Sequence, residues 1–418
     1  MCKGLVWHRS VLANGLRVLF FPKVSANTAQ LAVAVKYGSN NEVESEAGVA
    51  HFLEHMLSGG SQERIEKSRS VESFGGSLNF YTDHEYTMSF ADVLPESLPK
   101  AAGVLSELLF NSCFEEEKFV SEREIILHEL SEERDDPSTV INELLLKTLF
   151  KHHAISRPIG GYPKTLKKLE LSHLEAIHSA VYEPKNMILM LMGNLSNGQI
   201  QEVLKHFKDK SEQQKTPAAM VAVKQVYPQN MSKRVRRVSK EKRGLMQAYL
   251  NIGCQTVNTK SADAPKLDLI SMILGGGTSS RLFIELREKR ALTYDAAAVH
   301  IDGLDFGYIN IGCAVKSVNV EKAQKLVFEE LAKLRVEKVL EEELERNKKL
   351  MLKSILRGID SPDSCQDILA YMEIQYSQEN ALVEYLERIK AVTTLDILNV
   401  AQKYLQEDNF VSVVLKPK

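Results

Sequence analysis

AQLAVAVKYGSNNEVESEAGVAHFLEHMLSGG, residues 29–60, reads as a strand, a loop, a helix and a glycine stop. The alternating apolar run from Ala29 predicts the strand. ESEAGVAHFLEHML, residues 44–57, carries the helical pattern, and Gly59-Gly60 predicts its C-cap. The same order returns later in the chain. Shifted by 217 positions, Gln30–Gly60 aligns without a gap on Gln247–Gly277, with identities at Gln30, Asn41, Ala47, Leu57, Gly59 and Gly60. In the second copy Asp268, Ser271 and Met272 replace His51, Glu54 and His55. A helix that keeps its place without those three polar residues implies that they serve chemistry in the first copy rather than the fold.

Outward from this stretch, VLANGLRVLFFP (11–22) predicts strand character around an Asn14-Gly15 turn, and Gly75–Val93 predicts a hairpin or strand pair. Helical patterns cover roughly 95–110, 115–134, 138–150 and 164–180, and NMILMLMGNL (186–195) reads as a buried strand. Near 209–233 the pattern gives way to a polar, proline-containing stretch that reads as a linker, dividing the chain into domains 1–215 and 216–418. At 418 residues the chain exceeds one ordinary core. A net charge of -2 argues against a nucleic-acid binder, and no apolar run reaches the roughly 18 residues of a membrane span. Five scattered cysteines without CxxC spacing and an N-terminus without signal-peptide character predict a cytoplasmic protein, or one of a matrix-type compartment if a presequence has been removed.

On a helix His51, Glu54 and His55 fall within an arc of about 100°. Imidazoles at i and i+4 can grip one ion, and a carboxylate just before the second can reach water beside it. This is the HxxEH order of zinc peptidases. The plainer alternative is an amphipathic helix whose polar face happens to read His-Glu-His. A third ligand calls for a carboxylate on a buried surface. EEEKFVSEREIILHELSEERDDP (115–137) reads as a helix whose apolar stripe runs through Phe119, Ile126 and Leu130, and Glu122 and Glu129 sit on that stripe. Charges there are costly unless paired or coordinated; the alternative is a glutamate-rich solvated helix.

Together, HxxEH and the later ExxxxxxE resemble the pitrilysin family of zinc peptidases, which includes the mitochondrial processing peptidases and insulin-degrading enzyme. AGVAHFLEHMLSGG, FGGSLNFYTDHEYTMSF and SEREIILHELSEERDDP are similar to that family, and LGGGTSSRLFIELREKRALTY (274–294) is similar to its second-domain motif. The resemblance implies an α+β fold of two homologous domains, each a mostly antiparallel sheet packed against helices and together half of a clamshell chamber. It implies that His51, His55 and Glu129 bind one Zn2+ per chain, that Glu54 is the general base, and that Glu122 orients a ligand histidine. Arg287 and Tyr294 would donate to the substrate carbonyl, and Asn79, Phe80 and Tyr81 would form an edge strand that pairs with extended, unfolded peptides. Because one chain carries both motifs at half a chamber's length, a homodimer is expected, with no nucleic-acid or membrane partner. A noncatalytic core subunit of this fold and a specific presequence processor are the alternatives.

Other signals carry less. GGGTSS (275–280) lacks the GK[ST] ending of a phosphate loop and reads as a helix cap. His84, His152 and His153 have no partners at ligand spacing, and His128 points away from Glu129 around its helix. The basic run SKRVRRVSKEKR reads as a solvated linker and strand edge.

Overall fold

The computed structural model describes residues 7–111, 113–210 and 236–418. Its first elements are β1 (His8–Val11), β2 (Arg17–Pro22), β3 (Ala29–Val35), α1 (Val49–Gly59), α2 (Gln62–Ser70), β4 (Ser77–Thr82), β5 (Thr87–Val93), α3 (Leu98–Phe110), α4 (Glu116–Glu133) and α5 (Pro137–Leu149). There follow α6 (Pro163–Leu166), α7 (Leu171–Val181), β6 (Met187–Gly193), α8 (Asn197–Lys208), β7 (Arg236–Lys242), β8 (Ala248–Gln255), α9 (Ala264–Gly275), β9 (Ala296–Asp302) and β10 (Gly307–Val315). The chain closes with α10 (Val320–Val336), α11 (Glu341–Asp360), α12 (Pro362–Gln375), α13 (Ala381–Ala391), α14 (Thr394–Tyr404) and β11 (Phe410–Pro417). None of the described helices is long and apolar enough to cross a membrane. The linker expected near 209–233 lies, from residue 211 onward, outside the described residues.

Two α+β units result. The first draws on residues 1–132, 157–225 and 358–380, the second on 133–156, 226–357 and 381–418. Relative to the stretches 1–215 and 216–418, the units trade two segments. α5 packs on β8 and β11 of the second sheet, and α12 packs on β6 and β3 of the first. The trade follows from burial. All of β3 is buried, so its even-numbered face needs a cover as much as its odd-numbered face, and α12 supplies it. On the second sheet Leu145 and Leu149 of α5 join Tyr308, Val411 and Val413 in one apolar cluster.

The sheets repeat one topology. The first runs β1-β2-β6-β3-β5-β4 and the second β7-β11-β8-β10-β9. In each, one parallel pair (β2 with β6, β7 with β11) is followed by antiparallel pairs out to an edge strand, β4 or β9. β3 and β8, the strands matched in sequence, hold the same place, and α1 and α9 follow them.

Two expectations are corrected. The helix expected from residue 44 begins at Val49, because Gly48 takes φ 101°, a left-handed conformation that interrupts the helical run. The helix expected over 164–180 is two, α6 and α7, since Glu170 is extended (φ -112°, ψ 151°) between them. A third reading changes its reason. Gly60 has φ -71°, so it is no left-handed cap. A Cβ there would come 2.7 Å from Phe114, so close packing is what requires glycine.

Candidate metal centre and active site

α1 buries Phe52, Leu53, Met56 and Leu57 and turns His51, Glu54 and His55 toward α4. What joins the two helices is the stack of Phe52 on Phe119, both buried, with ring centroids 4.9 Å apart and planes 4° from parallel. Arg123 lies over the Phe119 ring at 4.5 Å and donates to the Leu169 carbonyl at 2.7 Å, holding α4 in turn.

Across this joint the side chains separated in sequence converge. His55 Nε2 lies 3.3 Å from Glu129 Oε2, and His51 Nε2 lies 3.9 Å from the same oxygen. His51, His55 and Glu129 each present a ligand atom within 4.8 Å of the others, the single such group of three among the described residues. Bonds of about 2.0–2.1 Å at tetrahedral angles put zinc ligand atoms about 3.3 Å apart, so the donor set fits such an ion with little adjustment. Glu122 Oε2 lies 3.1 Å from His55 Nδ1, which leaves Nε2 of that ring facing Glu129. Glu54 Oε2 lies 3.7 Å from His51 Nε2 and 3.5 Å from Thr82 Oγ1 on β4.

Charge and burial act on each group. Burial, with His55 adding to it, holds His51 down to about 4, so its imidazole is neutral at physiological pH, the form that ligates. Burial pushes Glu54 up to about 7; His55 opposes this, while the Glu129 and Glu122 charges reinforce it. For His55 burial works toward the neutral ring, yet the Glu122 hydrogen bond and the charges of Glu54, Glu129 and Glu122 outweigh it and its pKa is raised. Three carboxylates meet two imidazoles, a set whose net charge suits a divalent cation.

Among the described residues β4 is an edge strand, paired with β5 alone. Phe80 packs against the core beside α1, Asn79 is exposed, and Tyr81 turns to the other face, where its hydroxyl bonds Asp367 of α12 and its ring meets Tyr86 and Phe90. In the second unit Arg287 lies in a π-helical turn, Phe283–Glu288, and its guanidinium lies 4.7 Å over the Phe283 ring and 4.5 Å over that of Tyr294. Tyr294 is 82% exposed. These two residues, seven apart in sequence, thus form one pair. Asp268, at the place of His51 in the second copy, is occupied otherwise: His300 Nδ1 lies 2.7 Å from one oxygen and the Tyr385 hydroxyl donates to the other at 2.8 Å. His128 is exposed beside Glu132, while His153 is buried and its Nδ1 accepts from the Ile155 amide.

Sequence reasoning missed two residues of this site and gave a third another role. Thr82 belongs to the edge-strand motif but gave no sign of reaching Glu54. Gly59 was noticed, though for the wrong reason: a Cβ on it would meet the Glu122 carboxylate. Glu42 accepts from the Gly48 and Ala50 amides at the start of α1. No local pattern marks a cap that reaches forward six residues.

Fold and site together define a two-unit α+β protein with a His, His, Glu donor set beside a buried carboxylate. Residues 17–162 match the family described as insulinase (peptidase family M16), and residues 168–351 match the one described as peptidase M16 inactive domain. An uncharacterized zinc protease of Streptomyces coelicolor is 27% identical, covering 97% of this chain and 89% of its own length. Another, of Bacillus subtilis, is 26% identical over 97% of both chains. Among solved structures a protease from Helicobacter pylori has a TM-score of 0.90 at 23% identity, covering 98% of this chain and 99% of its own. The chain belongs to the M16, or pitrilysin, peptidase family.

Proposed function

We propose that this protein is a zinc-dependent metalloendopeptidase that cuts extended, unfolded peptides. The observation that carries the reading is the convergence of His51, His55 and Glu129, with Glu54 beside them at 3.7 Å from His51 Nε2. Held by those three ligands, one per chain, zinc supplies Lewis-acid chemistry that acidifies water and polarises a carbonyl. Glu54 takes the proton of the attacking water on a carboxylate oxygen and later delivers it to the leaving amine nitrogen. Glu122 accepts from His55 Nδ1, so that Nε2 keeps its lone pair for the metal. Arg287 and Tyr294 donate to the carbonyl oxygen as negative charge grows on it. β4 offers main-chain hydrogen bonds to a peptide added as a strand, which fits a general degrader with loose sequence preference better than a specific processor.

The match of 168–351 to a domain described as inactive agrees with this division of labour, since the donor set lies within 17–162. A noncatalytic core subunit is disfavoured by the intact ligands and base. Two copies of the chain would complete each other, with Arg287 and Tyr294 serving the partner's metal inside a closed chamber. A cytoplasmic location is consistent with the four described cysteines, all free thiols.

The test is hydrolysis of a quenched fluorescent peptide by wild type, Glu54→Gln, Arg287→Ala, and a mixture of the two variants after subunit exchange. Both variants are expected to be nearly inactive, with activity returning in the mixture. Inactive wild type with zinc bound would refute the peptidase; no recovery despite proven exchange would refute the shared site alone.

A further inference from the structure

The first turn of α1 has four backbone N–H groups with no partner inside the helix. Ordinarily the residue before the helix caps them with a short polar side chain. Here that residue is Gly48, at φ 101°, and a Cβ on it would fall 2.6 Å from the Gly160 carbonyl oxygen. No side chain can occupy the usual capping place.

Glu42 does the capping from a distance. It is 4% exposed, its Oε2 accepts from the Gly48 N–H at 2.9 Å, and its Oε1 accepts from the Ala50 N–H at 2.8 Å. Each oxygen faces a donor, so one side chain satisfies two of the N–H groups of the first turn. Burial outweighs the pull of the two amides and of Arg157 and leaves this carboxyl raised to about 8. The turn that carries Glu42 is itself tied down: Arg157 Nη2 donates to the Glu42 carbonyl at 2.7 Å and to that of Ser39 at 3.1 Å. Thr165 Oγ1 donates to the Ala47 carbonyl at 2.6 Å, holding the loop on its other side.

The second unit supplies a contrast. At the shift of 217 positions, Glu42 falls on Thr259 and Gly48 on Pro265. α9 begins at Ala264 with a proline in its first turn, and its N-cap residue Asp263 makes no side-chain cap bond, its carboxylate accepting instead from Lys266, Lys403 and Tyr404. The helix without HxxEH starts with no carboxylate cap; the helix with it starts on a buried one. His51 is the third residue of α1, so slack in the first turn is slack in a metal ligand, while His55 lies a turn further in.

We infer that Glu42 is a positioning residue, which locks the first turn of α1 through the Gly48 and Ala50 amides and thereby sets His51 for the metal. This rests on the metallopeptidase reading for its consequence, but not for its mechanics. The experiment uses the full-length chain as wild type, Glu42→Gln, Glu42→Ala and, as an exposed control, Glu44→Gln. Hydrogen exchange of the metal-free protein is followed by mass spectrometry, and zinc affinity by competition with a fluorescent chelator. Faster exchange is expected in the peptide spanning residues 47–56, graded from Gln, which keeps one acceptor oxygen, to Ala, with α3 and α8 unchanged. Zinc Kd is expected to rise about 10-fold for Gln. If Glu42→Ala does not fold, Glu42→Gln alone decides. Unchanged exchange over 47–56, loosening spread across the whole unit, or unchanged zinc Kd would each overturn the assignment. Wild type that binds no zinc would overturn the metallopeptidase reading instead, while exchange still judges Glu42.

Discussion

Gly59 and Glu122 share one space: a Cβ on Gly59 would fall 2.9 Å from the carboxyl carbon of Glu122 and closer still to its Oε1. The missing side chain at the end of α1 is what lets that carboxylate reach His55 Nδ1. Gly59→Ala is expected to displace Glu122 and raise the zinc Kd about 10-fold. Helix content should hold, since alanine favours a helix by about 1 kcal/mol over glycine. Chelator competition beside circular dichroism measures both, and unchanged affinity would show that Glu122 has another route to His55.

Glu54 makes metal-free stability depend on pH. Folded, it holds its proton up to about 7, against an ordinary 4.5, so between those values the folded state binds more protons than the unfolded one. Its contribution is fully present below about pH 4.5 and is lost as pH rises through about 7, a window worth at most about 3 kcal/mol. Glu54→Gln, which cannot ionise, should match wild-type Tm near pH 5 and exceed it at pH 8 in chelator. An equal offset at both pH values would sink the argument from ionisation.

Arg287 and Tyr294 should separate from the metal in their effects. Tyr294→Phe keeps the ring under the Arg287 guanidinium and removes only the hydroxyl. Loss of one donor to a developing oxyanion lowers kcat by about 100-fold. Bound zinc, measured by atomic absorption, should stay at the wild-type level. A fall in KM-limited binding alone, with kcat intact, would assign the pair to ground-state contact.

The stack of Phe52 on Phe119 couples stability to the site. Both rings are buried, so Phe119→Ala is expected to cost about 3–5 kcal/mol in urea unfolding. It should also weaken zinc binding, because α4 loses its contact with α1. Full zinc affinity in a destabilised variant would mean that the Glu129 position is set elsewhere.

Removing the metal should abolish peptide hydrolysis, and zinc should restore it. Free zinc at 100 times its Kd adds about 2.7 kcal/mol to folding stability. A Tm that ignores zinc would place the ion, if any, outside the folded site.

Much of this was written locally. His51, Glu54 and His55 share a face because 3.6 residues make a turn, whatever surrounds the helix. Likewise the strand, loop and helix order of 29–60 recurs at 246–277, and each strand shows its alternation. Glu122 and Glu129 stood out as charges on an apolar stripe. The meeting of His55 with Glu122, 67 positions away, was decided by tertiary packing, through the Phe52–Phe119 stack. So were the pairing of β2 with β6, the crossing of α5 and α12 between units, and the reach of Glu42 to the head of α1. The physical reason is range: spacing along a chain sets which side chains share a face, while contact between distant segments depends on which apolar surfaces bury one another.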